Sequence, residues 1–420
     1  MQENYRRLKW ACYTSNISMS IVGNLSPLLF LTFREMYGIS YSLLGLLVLI
    51  NFFTQLMIDL VFSFFSHKFN IPLVVKLIPI ITVAGLGIYA LAPVLFSQNV
   101  YLGLVIGTVI FSVASGLGEV LISPVIAAIP AKDPDREMSK LHSVYAWGVV
   151  AVVLFATVFL LLFKQSSWQY LTLALMSVPL VSAFLYAGAK IPQMQTPERA
   201  SGALRFLKNR GVWLCMIAIF LGGAAECTMA QWASGYLEQA IGIPKVWGDI
   251  FGVALFAAAL GLGRTLYSKI GKYASRVLLM GAIGATVCYL LAAISPFAIL
   301  ALAGCVCTGF CVSMLWPGSL IVASDRYPNG GVLIYALMAA GGDLGASVGP
   351  QLVGVITDFA ILNPTVITMA QTLGATPEQL GMKLGMLIGM LFPLFAIPVY
   401  AHFWRGDKKK RDADAKIENA

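Results

Sequence analysis

Four carboxylates stand inside long apolar stretches of this 420-residue chain: Asp59, Glu119, Glu226 and Asp343. An ionisable side chain at bilayer depth costs several kcal/mol, about 2.5–3.5 on the lowest scales, and it normally faces a bundle interior or a wet cavity. Each of the four has polar company, mostly at helical spacing. Thr108, Ser112, Ser115, Glu119 and Ser123 form one stripe, and Asn51, Gln55 and Asp59 a second. Tyr335, Asp343, Ser347 and Gln351 form a third, and Tyr13, Asn16, Ser20 and Asn24 a stripe without a carboxylate. Glu226 is followed by Gln231. One polar face on an apolar helix is expected where helices line an aqueous path. Hydrogen bonding between helices is the alternative use.

Counter-charges are scarce at the same depth. By position along the spans, Arg264 falls at the cytoplasmic end of one and Arg34 at the outer end of another, which leaves His142 as the cation nearest to membrane depth. A carboxylate in low dielectric with no counter-charge is held most cheaply with a proton on it. Glu119 and Asp343 are therefore expected to carry protons, a task that a sodium ion or a cationic solute could also meet. Anionic solutes usually need Arg or Lys to offset their desolvation, so neutral polyols and sugars, or organic cations, fit better. Trp147, Trp232, Trp316, Tyr145 and Tyr335 lie within spans, where a ring can stack on the apolar face of a sugar. Packing and interfacial anchoring are their other uses. With Asn24, Glu226 and Gln231, these five make up the expected solute-binding set. Trp232 is the strongest, beside Gln231 and about one and a half turns after Glu226. Asp59 is expected to anchor a cytoplasmic gate.

These side chains need a membrane scaffold to position them. The chain is 59% hydrophobic and 11% charged, with a mean hydropathy of +0.82. A soluble domain carries about 25% charged residues, so this chain cannot cover a globule of its size with charge. Disorder, collagen and disulfide scaffolds are excluded by the apolar content. At roughly 20 residues per crossing, twelve spans are read: 8–33, 41–66, 73–97, 101–129, 138–163, 168–190, 211–238, 246–268, 274–294, 297–323, 330–357 and 383–403. With the N-terminus inside, 24 of the 28 Lys and Arg fall on the inner side; Arg34, Lys164, Lys245 and Lys383 are the rest. That asymmetry predicts a multi-pass protein of the cytoplasmic (inner) membrane with both termini cytoplasmic. The net charge of +9 is thus a topology signal, with no nucleic-acid partner expected. The run Lys408-Lys409-Lys410-Arg411 adds attraction to anionic lipid. Arg6, Arg7 and Lys9 precede a polar-studded stretch of spanning length without a cleavage pattern, so the first span is expected to be retained. All seven cysteines fall inside spans, none at zinc-site spacing. No cofactor or metal is expected.

The chain divides six plus six. Residues 191–210 form a basic linker between an N-terminal bundle, 1–190, and a C-terminal bundle, 211–403, with a cytoplasmic tail at 404–420. The halves repeat at an offset of 193. Gly116 meets Gly309, Pro124 meets Pro317, and Gly148 meets Gly341. Parallel six-helix halves with a site near the midplane are a transporter architecture.

Twelve spans in two repeated halves, with cytoplasmic termini and a basic central loop, resemble the major facilitator superfamily. Its signature loop after the second and eighth spans runs Asp, basic, any, Gly, basic. Ser268-Lys269-Ile270-Gly271-Lys272 is similar to it; His67-Lys68-Phe69-Asn70 is a degenerate copy without the acidic member, in which Asn70 can replace glycine in a left-handed turn. The resemblance implies an all-α membrane fold and gating roles for Lys269 and Gly271, with Arg264 beside them. It also implies a protein that is mostly monomeric. Gly116-Leu117-Gly118-Glu119 with Pro124 is similar to the fourth helix of fucose-permease-like sugar:proton symporters, which implies a proton-coupling role for Glu119. That family's first-helix aspartate has no match, since Pro27 stands there. Gly222-Gly223-Ala224-Ala225-Glu226 with Gln231-Trp232 looks like a sugar-branch pattern, and Gly345-x3-Gly349-Pro350 resembles the antiporter motif of drug exporters, displaced into the eleventh span. The leading expectation is a secondary active transporter that imports a neutral, sugar-like small molecule with protons. The alternative is a proton-coupled exporter of drugs or cationic metabolites. A sensor or an intramembrane enzyme is the remote third: no Ser-His-Asp set can be assembled at one depth.

Overall fold

A computed structural model describes residues 5–65, 68–130, 134–192, 208–270, 273–327 and 331–418. Among the described residues the structure is almost entirely helical and has no strand. Each of the twelve expected spans is a helix, and we number them in chain order. They are α1 (Arg6–Leu28, continued as Phe30–Tyr37), α2 (Tyr41–Phe65), α3 (Ile71–Ala90), α4 (Val100–Ala127), α5 (Pro134–Phe163) and α6 (Trp168–Leu175 with Ser177–Ala187). There follow α7 (Arg210–Gln239), α8 (Lys245–Ile270), α9 (Ala274–Ile294), α10 (Ala298–Val312 with Leu315–Arg326), α11 (Gly331–Leu362) and α12 (Pro377–Glu418). Ten of them are long and apolar enough to cross a membrane, and α1, bent by 46° at Leu29, makes an eleventh; the apolar part of α5 is the shorter Trp147–Phe163.

Proline explains the bends, because it removes an N–H from the helical ladder. Pro27 precedes the break in α1, and Pro179 follows the break at Met176 in α6. Pro317 follows the break in α10 and leaves the carbonyl of Ser313, four residues back, without its helical donor. The loop before α3 departs from the expected left-handed turn. Asn70 has φ −77° and caps α3 by accepting from the Leu73 N–H at 3.2 Å. Among the described residues of the second loop, Tyr273 is left-handed, at φ 61°. Most of the 191–210 linker, including 193–207, lies outside the described residues. The tail at 404–420 continues α12 to Glu418. Arg326 holds its start, donating to the Phe403 carbonyl at 3.1 Å and to Asp407 at 2.9 Å.

The chain forms two compact units, residues 1–200 with 245–250, and residues 201–244 with 251–420. The first unit therefore holds α1–α6 and the opening of α8. Lys245 donates to the carbonyl of Leu28 at 2.8 Å, where α1 breaks and helix-end carbonyls need outside donors. Lys245 also lies 3.5 Å from Asp249, which accepts from Thr157 of α5 at 3.2 Å. The α8 segment Gly248–Ala254 is π-helical, and the boundary between units, 250|251, falls inside it.

Within the first unit much of the polar content serves as interhelical glue. Asn16 donates to the Leu141 carbonyl at 2.8 Å and Ser20 to the Tyr145 carbonyl at 2.9 Å, joining α1 to α5. Ser112 of α4 donates to Asn51 of α2 at 2.6 Å. Small residues let the backbones close up. A Cβ on Gly148 would stand 2.7 Å from the Ser20 hydroxyl, and one on Gly116 would stand 3.1 Å from the Gln55 Cα.

The second unit repeats these seams. A Cβ on Gly341 would stand 3.1 Å from Ile219 and from the Met216 carbonyl, and one on Gly309 would collide with the Phe256 carbonyl. Thus α11 sits on α7 as α5 sits on α1, and α10 sits on α8 as α4 sits on α2. Gly345 and Gly349 extend the α7–α11 seam: a Cβ there would collide with the Phe220 carbonyl or the Thr228 hydroxyl. The Gly345-x3-Gly349-Pro350 run is thus a packing surface. Tyrosines pin α7 from the other side. Tyr289 of α9 donates to Ala225 at 2.7 Å and Tyr400 of α12 to Ala218 at 2.8 Å.

Candidate functional site

In the first unit, Glu119 is the exposed one among the described members of the α4 stripe; Thr108, Ser112 and Ser115 are buried. Asp59 of α2 is buried, and a carboxylate oxygen of Asp59 lies within 4.8 Å of one from Glu119. The Gly116 seam sets this approach, because it lets α4 close onto α2 one turn below. Two carboxylates at such a separation strongly disfavour double ionisation; a shared proton or a cation relieves the repulsion. Asn24 is half-buried and spends its amide N–H on the Ser20 carbonyl at 2.8 Å. The Tyr145 hydroxyl faces Gly23, the neighbour of Asn24: a Cβ there would stand 3.6 Å away. Trp147 is elsewhere. It is 72% exposed and shares an apolar stripe with Leu154, Phe155, Val158 and Leu162, the kind of face a helix turns to acyl chains. The solute-binding expectation for Trp147 is corrected accordingly.

In the second unit the site is built from α7, α8, α10 and α11. Arg264, near the C-terminal end of α8, meets a carboxylate of α7. Its Nη2 donates to both oxygens of Glu226, at 3.0 and 3.3 Å. Its Nε donates to the Ser313 carbonyl at 3.1 Å, the group that Pro317 frees. The expectation that this carboxylate lacks a counter-charge is therefore overturned. The long arginine stem carries its charge away from its own Cα level, so counting positions along α8 misplaced it. The proline-broken turn also delivers Trp316. Its half-buried ring lies over two glycines: a Cβ on Gly342 would stand 2.5 Å from it and one on Gly223 2.9 Å. Gly223 is one turn before Glu226, and Gly342 adjoins the buried Asp343. The Ser347 hydroxyl, the nearest oxygen on α11, is turned to the Asp343 backbone carbonyl at 2.7 Å. Glu226, Arg264, Trp316 and the glycine bed before Asp343 are thus gathered in one region.

Trp232 is not part of that region's accessible surface. It is 1% exposed, and its indole N–H donates to the Pro350 carbonyl at 2.9 Å. Gln231 beside it is buried. The expected solute contact through Trp232 is corrected to a packing role between α7 and α11. Trp232→Phe keeps a ring but loses this hydrogen bond. It should cost about 1 kcal/mol of stability, read as a lower unfolding temperature in detergent, with solute affinity unchanged. A tenfold loss of affinity at unchanged stability would return Trp232 to the solute site. The side chains of His142, Tyr335 and Lys269, and all of Gly271, lie outside the described residues.

Comparisons with known proteins bear on what such a site does. The family model of the Major Facilitator Superfamily matches residues 12–350. No curated protein matches the chain in sequence. Among solved structures, a bacterial homolog of the human lysosomal transporter Spinster, inward-facing and occupied, aligns with a TM-score of 0.72 at 14% identity, over 96% of this chain and 97% of that one. A nucleoside transporter aligns with a TM-score of 0.72 at 11% identity, over 94% and 99%. A D-xylose-proton symporter aligns with a TM-score of 0.72 at 14% identity, over 94% and 97%. At these identities the likeness is one of fold.

Proposed function

The chain belongs to the Major Facilitator Superfamily, and from that premise we propose that this membrane transporter is a proton-coupled importer of a small, hydroxyl-rich solute, working by alternating access. The observation that carries the reading is the approach of Asp59 and Glu119 within 4.8 Å, with Glu119 exposed. Such a pair keeps a proton while it is held dry and releases it when a cavity wets it. The likeness of Gly116-Leu117-Gly118-Glu119 to sugar:proton symporters supports the same role for Glu119. The D-xylose-proton symporter among the structural neighbours is compatible with a sugar-like solute. Trp316 supplies a flat apolar ring beside polar Glu226 and Arg264, a combination suited to a sugar ring. Export of drugs is not favoured, because the glycines that resemble an exporter motif are occupied in helix packing.

The test is solute uptake into proteoliposomes under an imposed pH gradient, across a panel of sugars and sugar derivatives. Accumulation that follows the pH gradient, and persists without sodium, supports proton coupling. Accumulation that requires a sodium gradient at fixed pH and potential assigns the Asp59–Glu119 pair to sodium instead. Outward pumping of organic cations under the same gradient would reverse the proposed direction.

A further inference from the structure

We propose that the solute carries a carboxylate, and that the outer edge of the Arg264 guanidinium receives it; the solute class is a sugar acid rather than a neutral sugar. The inference rests on the transport reading above and narrows its substrate. A guanidinium has five N–H donors in a rigid fork. In Arg264 the Nε–H goes to the Ser313 carbonyl, and Nη2 serves both Glu226 oxygens. Among the described residues, Nη1 donates to nothing. The side chain is 41% exposed, against 16% for Glu226. Two of its nitrogens are thus fixed by the protein, and the end of the fork remains open.

Fixing matters to recognition. An arginine loose in solvent loses rotamer freedom when it binds, whereas this one is already held at Nε and Nη2. The open Nη1 presents its N–H donors beside a full positive charge, so a carboxylate accepts charge-assisted hydrogen bonds there. A sugar hydroxyl brings no charge to the guanidinium. Glu226 balances the arginine before the solute arrives, so the positive charge need not stand uncompensated at depth. The pair is therefore a poor stability device and a suitable receptor. Trp316 supplies the second contact. Its ring lies on Gly223, three residues before Glu226, which is a rise of about 4.5 Å along α7. That separation is comparable to the breadth of a single sugar ring with its acid group on the arginine. The scarcity of basic residues at depth had favoured neutral solutes; Arg264 at Glu226 removes that ground.

The test uses the purified full-length protein, with D-glucuronate and D-glucose as probes. Binding is read by tryptophan fluorescence and by the shift in unfolding temperature, and uptake is read in proteoliposomes under a pH gradient. The expected result is that glucuronate binds at least tenfold more tightly than glucose. Arg264→Lys, which keeps the charge but not the fork, should weaken glucuronate binding at least tenfold, and Arg264→Gln should abolish it. Should the Arg264 variants fail to fold, the wild-type preference decides alone. Equal or tighter binding of glucose overturns the inference, as does failure of glucuronate to bind. If glucose is accumulated under the pH gradient, the inference falls while the transport reading stands. If glucuronate binds yet no solute responds to the gradient, the carboxylate site stands and the proton-coupled reading falls.

Discussion

Replacing Glu119 with glutamine should abolish accumulation driven by a pH gradient while leaving solute exchange across the membrane intact. The amide matches the acid in size and hydrogen-bonding reach but cannot release a proton. A one-proton symporter working on a gradient of one pH unit can hold a concentration ratio of about tenfold, since one unit corresponds to about 1.4 kcal/mol. The variant should equilibrate the solute to a ratio near one. Counterflow of labelled against unlabelled solute should continue, because Arg264 and Trp316, the residues proposed to meet the solute, are unchanged. Asp59 remains in the variant, buried. Full pH-driven accumulation by Glu119→Gln would remove Glu119 from the proton path.

A valine at Gly345 should be more damaging to the fold than any exchange proposed above. A Cβ there collides with the Phe220 carbonyl and stands 2.9 Å from the Ala224 N–H nitrogen. Both obstacles are backbone, so no rotamer change can absorb the added carbons. The α7–α11 contact is among the most extensive in the second unit, and α7 carries Glu226. Overpacking of a closed interface costs about 1–3 kcal/mol, sometimes more, and here it should appear as poor yield and early thermal unfolding in detergent. Gly261→Ala is the matched control. No atom lies within 4 Å of a Cβ at that position, so alanine should be neutral, or stabilising by up to about 1 kcal/mol through helix propensity. Equal unfolding temperatures for wild type and Gly345→Val would refute the seam.

The spans were legible because hydropathy reports on the bilayer, which acts on every residue of a span. The 193-residue offset was legible too, since Gly116 and Gly309, like Gly148 and Gly341, occupy equivalent helix crossings. Faces were not legible. Most of these helices are apolar all round, so periodicity cannot say which way Trp147 or Trp232 turns. One turned outward and the other into the α7–α11 seam. Side-chain reach was also invisible: Arg264 is placed low on α8 by its Cα and meets Glu226 by its stem. Lys245 and Asp249 stand at helical i,i+4 spacing, a pairing signal in the sequence. The π-helical turn around Asp249 has no such signal.

The glycine bed beneath Trp316 imposes an order on descent. A side chain at Gly223 or Gly342 collides with the indole as long as it is present. A lineage of this transporter can therefore acquire alanine at Gly342 only after position 316 has accepted a smaller residue or the indole has shifted. At Gly223 the backbone carbonyl of Gly342, 2.7 Å from a Cβ, holds glycine in place whatever stands at 316. Among relatives, positions 316 and 342 should then covary, and position 223 should stay glycine.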